Sequence, residues 1–246
     1  MNSTSGGRIE RLSRRGRAMS VTVEAGLLLA RESMREPVDF RTGLHDARRD
    51  ARQALRLFAR VEEILSRFRA DSELNRVAAA SGRGEWSRPS PTLAAALRAS
   101  ERAWRETGGL FNPNVRTALE RWGYDETFER LGERNGHGAT PPANGRVPDF
   151  LVEWERGSVR LATGTPPDLG GIGKGLTVDW ALRLLTAHWR YGWIDGGGDL
   201  RFAFPEPRPV SIAGPDGGDL LTVWLREGAV ATSGTTVRRA VRNRSR

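Results

Sequence analysis

Apolar residues recur at helical spacing along three stretches of the chain. Ala47, Ala51, Ala54, Leu55, Phe58, Val61 and Leu65 make one stripe, which predicts a long helix from about His45 to Ser66. Leu93, Ala96, Leu97, Ala103 and Trp104 share a face of a predicted helix over 92–106. Val178, Ala181, Leu182 and Leu185 stand at i, i+3, i+4 and i+7, and that helix should end near His188. Ser72, followed by Glu73 and Asn75, reads as a further helix start. Elsewhere the period falls to two. Val21, Val23 and Ala25 alternate with polar residues and predict a strand near 19–24. Phe150 to Trp154 and Val159 to Ala162 flank Glu155-Arg156-Gly157-Ser158 as a hairpin. Tyr191 to Ile194, Val210 to Ala213, Leu220 to Leu225 and Ala229 to Thr232 read as later strands. Residues 132–146, rich in Gly, Pro and Asn, read as an exposed loop. Residues 26–43 carry no pattern that places them. With helices grouped early and strands late, no internal repeat and no long linker, the expectation is one α+β domain.

Composition narrows the chemistry. The 246 residues include no cysteine, so disulfides and thiolate metal sites are excluded. The three histidines, His45, His137 and His188, are scattered, which argues against a histidine zinc site. No apolar run approaches a membrane span, and residues 1–19 lack the apolar segment of a signal peptide. The expected location is therefore the cytoplasm. The net charge of +9 invites a nucleic-acid reading, but its distribution opposes one. Residues 1–19 carry five arginines against Glu10, and residues 235–246 carry Arg238, Arg239, Arg242, Arg244 and Arg246, so the two ends hold the whole excess. Residues 1–17 are expected to be a disordered basic tail. Tails of this kind attract polyanions non-specifically, so no specific nucleic-acid partner is expected.

The stretch with the most chemistry is Asp168-Leu169-Gly170-Gly171-Ile172-Gly173-Lys174-Gly175-Leu176-Thr177-Val178-Asp179. Four glycines fall in six positions just before an apolar helical stripe. Glycine lets bare backbone N–H groups approach an anion, and a helix N-terminus favours negative charge. Lys174 is the chain's only lysine, a compact charge able to reach a phosphate. Asp168 is suited to a hydroxyl, an amide or a metal. The spacing fits neither a Walker A loop nor the dinucleotide fingerprint. A tight strand-to-helix turn with a solvated lysine is the plainer alternative.

This stretch resembles the D-L-G-[GA]-I-[AG]-K-G-x-x-x-D motif of the FAD:protein FMN transferases, the ApbE-like flavin transferases. Further segments follow in the same order. Ala18-Met19 resembles the end of an early A-M-G-T strand, and Phe68 to Asn75 resembles F-R-x-D-S-E-L-x-x-L-N. Gly109 to Pro113 resembles G-x-F-D-P-T, Asp195 to Leu200 resembles N-x-G-G-D-[IL], and Ala231-Thr232-Ser233-Gly234 matches A-T-S-G. The resemblance covers about residues 18–234. It implies magnesium-dependent transfer of FMN from FAD to a Thr or Ser hydroxyl of a target flavoprotein, with release of AMP. It also implies flavin-nucleotide contacts at Met19, Phe68, Leu110, Phe111, Asn112, Asp168 and Lys174, and a metal contact from the carbonyl of Gly171. Asn112 stands where the family usually has Asp, and Ser20-Val21 replace the usual Gly-Thr after Met19. Exported relatives carry a lipobox cysteine, and this chain has none. Asp179 and the glycines 196–198 have structural readings beside the functional ones.

Beyond A-T-S-G the family continues to H-x-[IV]-D-P and then to D-A-x-x-T, whose Asp and Thr ligate the metal. This chain reads Thr235-Thr236-Val237-Arg238-Arg239 and a short basic end. The expectation is thus an incomplete C-terminus, with 235–246 outside the family segment, impaired activity, and an uncovered sheet edge. A non-catalytic flavin-nucleotide binder is the rival reading, and a basic nucleic-acid-binding protein a remote one.

Overall fold

Ala47, Ala51, Ala54 and Phe58, the stripe of the longest helix, are fully buried. The computed structural model describes residues 10–19, 21–29, 40–121, 148–162, 166–214 and 218–233. Its elements are, in chain order, strands β1 (Glu10–Ala18) and β2 (Val21–Leu29), then helices α1 (Phe40–Leu65), α2 (Glu73–Gly82) and α3 (Pro91–Glu106). A 3₁₀ turn (Pro113–Val115) leads into the short helix α4 (Arg116–Arg121). Strands β3 (Val152–Glu155) and β4 (Ser158–Leu161), helix α5 (Gly170–Thr186), and strands β5 (Gly192–Asp195), β6 (Asp199–Ala213) and β7 (Asp219–Ala231) complete the described chain. The class is α+β with antiparallel strands, as the patterning predicts, although two strands of the main sheet precede the helices. The chain gathers into two compact units that each collect distant segments, 1–59 with 177–236 and 60–176 with 237–246, and the divisions fall inside α1 and α5.

The first unit holds an antiparallel sheet of order β1-β2-β5-β6-β7. Val23, Ala25, Leu27 and Leu29 of β2 point to one face, where they pack with Ala47, Ala51, Ala54 and Phe58 of α1 and Val178, Ala181, Leu182 and Leu185 of α5. The other face has its own small cluster around Leu28, Trp193 and Phe202. Gly26 pairs across the strands with Trp193, whose ring lies where a Cβ would be.

Two sequence expectations fail here. Residues 10–17 are not a disordered tail but strand β1, paired with β2 throughout. Leu12 and Ala18 pack on the core, while Arg11 and Arg15 bond Glu24 at 3.3 and 2.6 Å. Arg11 also lies over the Trp193 ring at 4.6 Å. Half-buried ion pairing, invisible in an arginine-rich string, absorbs part of that basic charge. The two last strands predicted are one strand, β7, and β6 starts eleven residues early, at Asp199 rather than Val210. Pro205, Pro207 and Pro209 hid it. They are tolerated because β5 pairs only with residues 200–203, and because the β6–β7 register shifts between Ala203 and Arg208. Among the described residues β7 is a sheet edge, with Leu220 and Trp224 about 72% and 68% exposed.

The second unit is built from the end of α1, α2, α3 and the β3–β4 hairpin. Ser72 caps α2 by accepting the Asn75 N–H at 3.1 Å, as its sequence suggests. Ser90 caps α3 in the same way and donates its own N–H to Glu73. Arg156 and Gly157, both at positive φ, make the two-residue hairpin turn. The Ser81 hydroxyl donates to Val77 and accepts the Leu161 N–H, joining α2 to β4. The 132–146 loop lies outside the described residues. No helix among the described residues is long and apolar enough to cross a membrane.

Candidate functional site

The site of the second unit is assembled where α5 begins. The Asp168 N–H donates to the Pro113 carbonyl at 2.8 Å, and its Oδ1 accepts the Gly170 N–H at 2.7 Å. The Leu169 carbonyl accepts from Ile172 and Gly173 at 3.1 and 2.7 Å, so the helix starts at Gly170. The glycines are therefore helical, and Lys174 sits in the second turn rather than in a loop ahead of it. Helical glycine is costly, about 1 kcal/mol against alanine. Three of these glycines have a steric reason. A Cβ on Gly170 would stand 2.9 Å from Asp168 Oδ1, on Gly171 3.1 Å from Phe111 Cε2, and on Gly173 3.3 Å from Leu65 Cδ1. The bonds at the helix start use the N–H groups of Gly170, Ile172 and Gly173, and none of them uses that of Gly171, which is exposed beside the Phe111 ring.

Asp168 has a second partner that no motif announces. Arg67 is only about 8% exposed, and its Nε lies 3.0 Å from Asp168 Oδ2. The same guanidinium covers the Phe68 ring at 4.1 Å and approaches Glu120 at 3.9 Å. Glu120 also pairs with Arg116 at 2.7 Å. Arg116 donates to Asn75 Oδ1 at 2.6 Å, and Asn75 Nδ2 donates to the carbonyls of Arg67 and Arg69. The segment around Ser72 and the glycine segment are thereby tied through charged side chains.

Phe68 is 43% exposed and Leu110 93%, so both offer apolar surface. Phe111 lies against Gly171. Asn112 is engaged at both ends of its amide: Oδ1 accepts the Asn114 N–H at 2.9 Å and Nδ2 donates to the Pro148 carbonyl at 3.0 Å. An open polar groove lined by Glu63, Ile64, Arg69, Asp71, Glu73 and Arg76 takes in none of these residues.

The remaining candidates belong to the first unit. Met19 is the left-handed residue (φ 52) of the two-residue β1–β2 turn and packs on that unit's core. The Asp195 carboxylate accepts the N–H groups of Gly197 and Gly198 at 2.8 and 3.4 Å, and the Gly198 carbonyl accepts from Thr232. A Cβ on Gly197 would collide with Val21. Asp179 pairs with Arg201 at 3.5 Å on the exposed side of α5.

A family model described as the ApbE family matches residues 18–246. The chain belongs to the ApbE family. The match takes in residues 235–246, which the order of short motifs left outside. Three solved structures share the fold. The ApbE protein of Thermotoga maritima is 22% identical with a TM-score of 0.72, and the match covers 93% of this chain and 72% of that one. The flavin transferase ApbE of Vibrio cholerae is 20% identical with a TM-score of 0.68, over 96% and 75%. The flavinyl transferase ApbE of Pseudomonas stutzeri is 16% identical with a TM-score of 0.67, over 89% and 66%. No protein of curated function matches the chain.

The magnesium that ApbE resemblance implies can be tested on the donor set. Near Gly171 the described residues offer its carbonyl and the Asp168 carboxylate. One oxygen of that carboxylate meets a guanidinium and the other a backbone N–H. Among the described residues no three His, Asp or Glu side chains converge on one point. A hard dication wants six or more oxygens, several of them anionic. The described residues do not fit it, and no step below passes through it.

Proposed function

We propose that this chain moves the FMN portion of FAD onto a Thr or Ser hydroxyl of a target flavoprotein and releases AMP. The hydroxyl oxygen attacks the phosphorus on the FMN side. The pyrophosphate P–O bond breaks, AMP leaves with the bond electrons, and the hydroxyl proton passes to water or a base. The observation that carries this reading is the start of α5 in an ApbE-family chain. An exposed glycine, a helix N-terminus and Lys174 meet there beside the Phe111 ring, while the Phe68 ring lies under the Arg67 guanidinium that bonds Asp168. Developing charge on phosphoryl oxygens is stabilised by such preorganised donors. In this proposal Lys174 meets the phosphates, and bare Gly171 lets them close on the helix. Phe68, Phe111 and Leu110 give apolar contacts to the flavin nucleotide, and Met19 is assigned to it on resemblance alone. Asp168 and Asn112 shape the backbone around it. Magnesium dependence belongs to the same proposal on resemblance alone, and a cytoplasmic setting is proposed with it.

The test is incubation of the full chain with FAD, magnesium and a flavin-acceptor domain. The readouts are in-gel flavin fluorescence of the denatured acceptor and AMP release. Covalent labelling with stoichiometric AMP is the expected result, and a chelator arm tests the magnesium dependence that the resemblance implies. FAD binding without labelling would favour the second reading, a non-catalytic flavin-nucleotide binder. The incomplete donor set among the described residues is the observation behind that reading.

A further inference from the structure

Arg67 is a buried cation that the proposed chemistry does not use. Burying a guanidinium is unfavourable unless its charge and donors are met. Here Asp168 Oδ2 meets it at 3.0 Å, Glu120 lies at 3.9 Å, and its plane covers the Phe68 ring at 4.1 Å. The two main contacts lead to different parts of the site. Asp168 carries the bond onward, because its other oxygen holds the Gly170 N–H that starts α5. Phe68 is 43% exposed, so its ring is both held by the guanidinium and available to a ligand. A flat, delocalised cation is needed to bond a carboxylate edge-on while stacking on a ring, and a lysine ammonium has no such plane.

We propose that Arg67 is a positioning residue for the nucleotide: it fixes the glycine-bearing start of α5 through Asp168 and sets the Phe68 ring against a flat heteroaromatic ligand. Asp168 then works as the link between Arg67 and the helix start, rather than as a carboxylate offered to the ligand. The inference rests on the flavin-nucleotide reading, and its test separates the two.

FAD is titrated into the full chain, followed by quenching of flavin fluorescence, for the unsubstituted protein, Arg67→Met, Arg67→Lys, Asp168→Asn and the Arg67→Met/Asp168→Asn pair. Thermal unfolding without FAD is recorded alongside, and titrations are run well below each transition. Loss of a charge-assisted bond predicts a Kd raised about tenfold or more in Arg67→Met. Arg67→Lys should recover part of that loss, because the charge against Asp168 returns. The double substitution should cost about as much as the larger single one, since both break one link. A folded Arg67→Met with unchanged Kd overturns the proposal, as does additivity in the double or a lysine no better than methionine. If Arg67→Met does not fold, Arg67→Lys and Asp168→Asn decide, and unchanged affinity in both overturns it. An unsubstituted chain that binds no FAD removes the flavin reading and this inference with it, whereas FAD binding indifferent to Arg67 removes only the latter.

Discussion

The glycines at the start of α5 differ in what an added methyl would meet, and that difference predicts a graded series of alanine variants. Alanine gains about 1 kcal/mol over glycine inside a helix, chiefly by restricting the unfolded chain. At Gly175 a Cβ meets nothing within 4 Å, so nothing offsets the gain. Gly175→Ala should stabilise by about 0.5–1 kcal/mol, or roughly 1–4 °C in Tm for a chain of this length. At Gly173 the neighbour is a methyl of Leu65 at 3.3 Å, which has to yield slightly, and the net change should be near zero. At Gly171 the neighbour is a Phe111 ring carbon at 3.1 Å. Overpacking costs about 1–3 kcal/mol, and a half-buried ring can move, so Gly171→Ala should come out about 0–1 kcal/mol destabilised. At Gly170 the Cβ stands 2.9 Å from the carboxylate oxygen that caps the helix and is tied to Arg67. Losing that cap predicts about 1–2 kcal/mol of destabilisation. The assay is urea unfolding followed by far-UV circular dichroism, with FAD titration of each folded variant. Stability should fall in the order 175, 173, 171, 170, and FAD affinity should survive at 175 and drop at 171. Equal stabilisation at 171 and 175, with FAD affinity intact in both, would refute the packing of Phe111 on the helix start.

Three other outcomes follow from single contacts. Lys174→Met should weaken FAD binding by about 1–3 kcal/mol, the range for a lost charge-assisted bond, and an unchanged titration would remove Lys174 from the site. Gly26→Ala should cost about 3 kcal/mol, because three Trp193 ring atoms lie 2.1–2.4 Å from the new Cβ and the ring must leave its place under Arg11. A urea midpoint like that of the unsubstituted chain, with tryptophan emission unshifted, would contradict that geometry. Burial pushes the Glu24 carboxyl up, but Arg15, Ser13 and Arg11 outweigh it and hold it below its ordinary value. A depressed carboxyl stabilises the fold above the unfolded pKa and loses that contribution as pH falls through the folded one. Glu24→Gln should therefore cost about 0.5–1 kcal/mol at pH 7, with exposed arginine partners discounted, and the gap from the unsubstituted chain should close in acid. A gap that persists at low pH would assign the loss to hydrogen-bond geometry instead of charge.

What the sequence disclosed was periodicity. The stripes on α1, α3 and α5 name most of the buried residues of those helices, because burial acts on every third or fourth position, whereas the alternation on β2 finds Val23 and Ala25 but stops short of the buried run Leu27 to Leu29. Two kinds of information escaped it. β1 is an arginine string that becomes a strand only because Glu24 and the Trp193 ring take up its side chains and Leu12 and Ala18 turn inward. β6 carries three prolines that a paired central strand would reject, and only its one-sided pairing and shifted register admit them. The motifs located the glycine segment and Phe68, but they did not show that Arg67 joins them. A salt bridge between residues far apart in the chain leaves no spacing to read.

Asn112 shows how a departure from a motif acquires a local cause. The resembling family usually has aspartate there, which makes the asparagine look like a lost charge in the site. Its amide does two jobs at once. Oδ1 caps the 3₁₀ turn by accepting the Asn114 N–H at 2.9 Å, and Nδ2 donates to the Pro148 carbonyl at 3.0 Å. Asn114 completes the tie by donating to the Asp149 carbonyl at 2.8 Å. Aspartate would keep the cap but set a carboxylate oxygen against the Pro148 carbonyl, acceptor against acceptor, with nothing to donate. The bond fixes the backbone that follows Phe111, and the Pro113 carbonyl at its end receives the Asp168 N–H at 2.8 Å. The residue that seems to weaken the site is the one that fastens the Phe111 segment to the Pro148 backbone, next to the backbone bond by which Pro113 holds the start of α5. It does so by a donor that only the amide has.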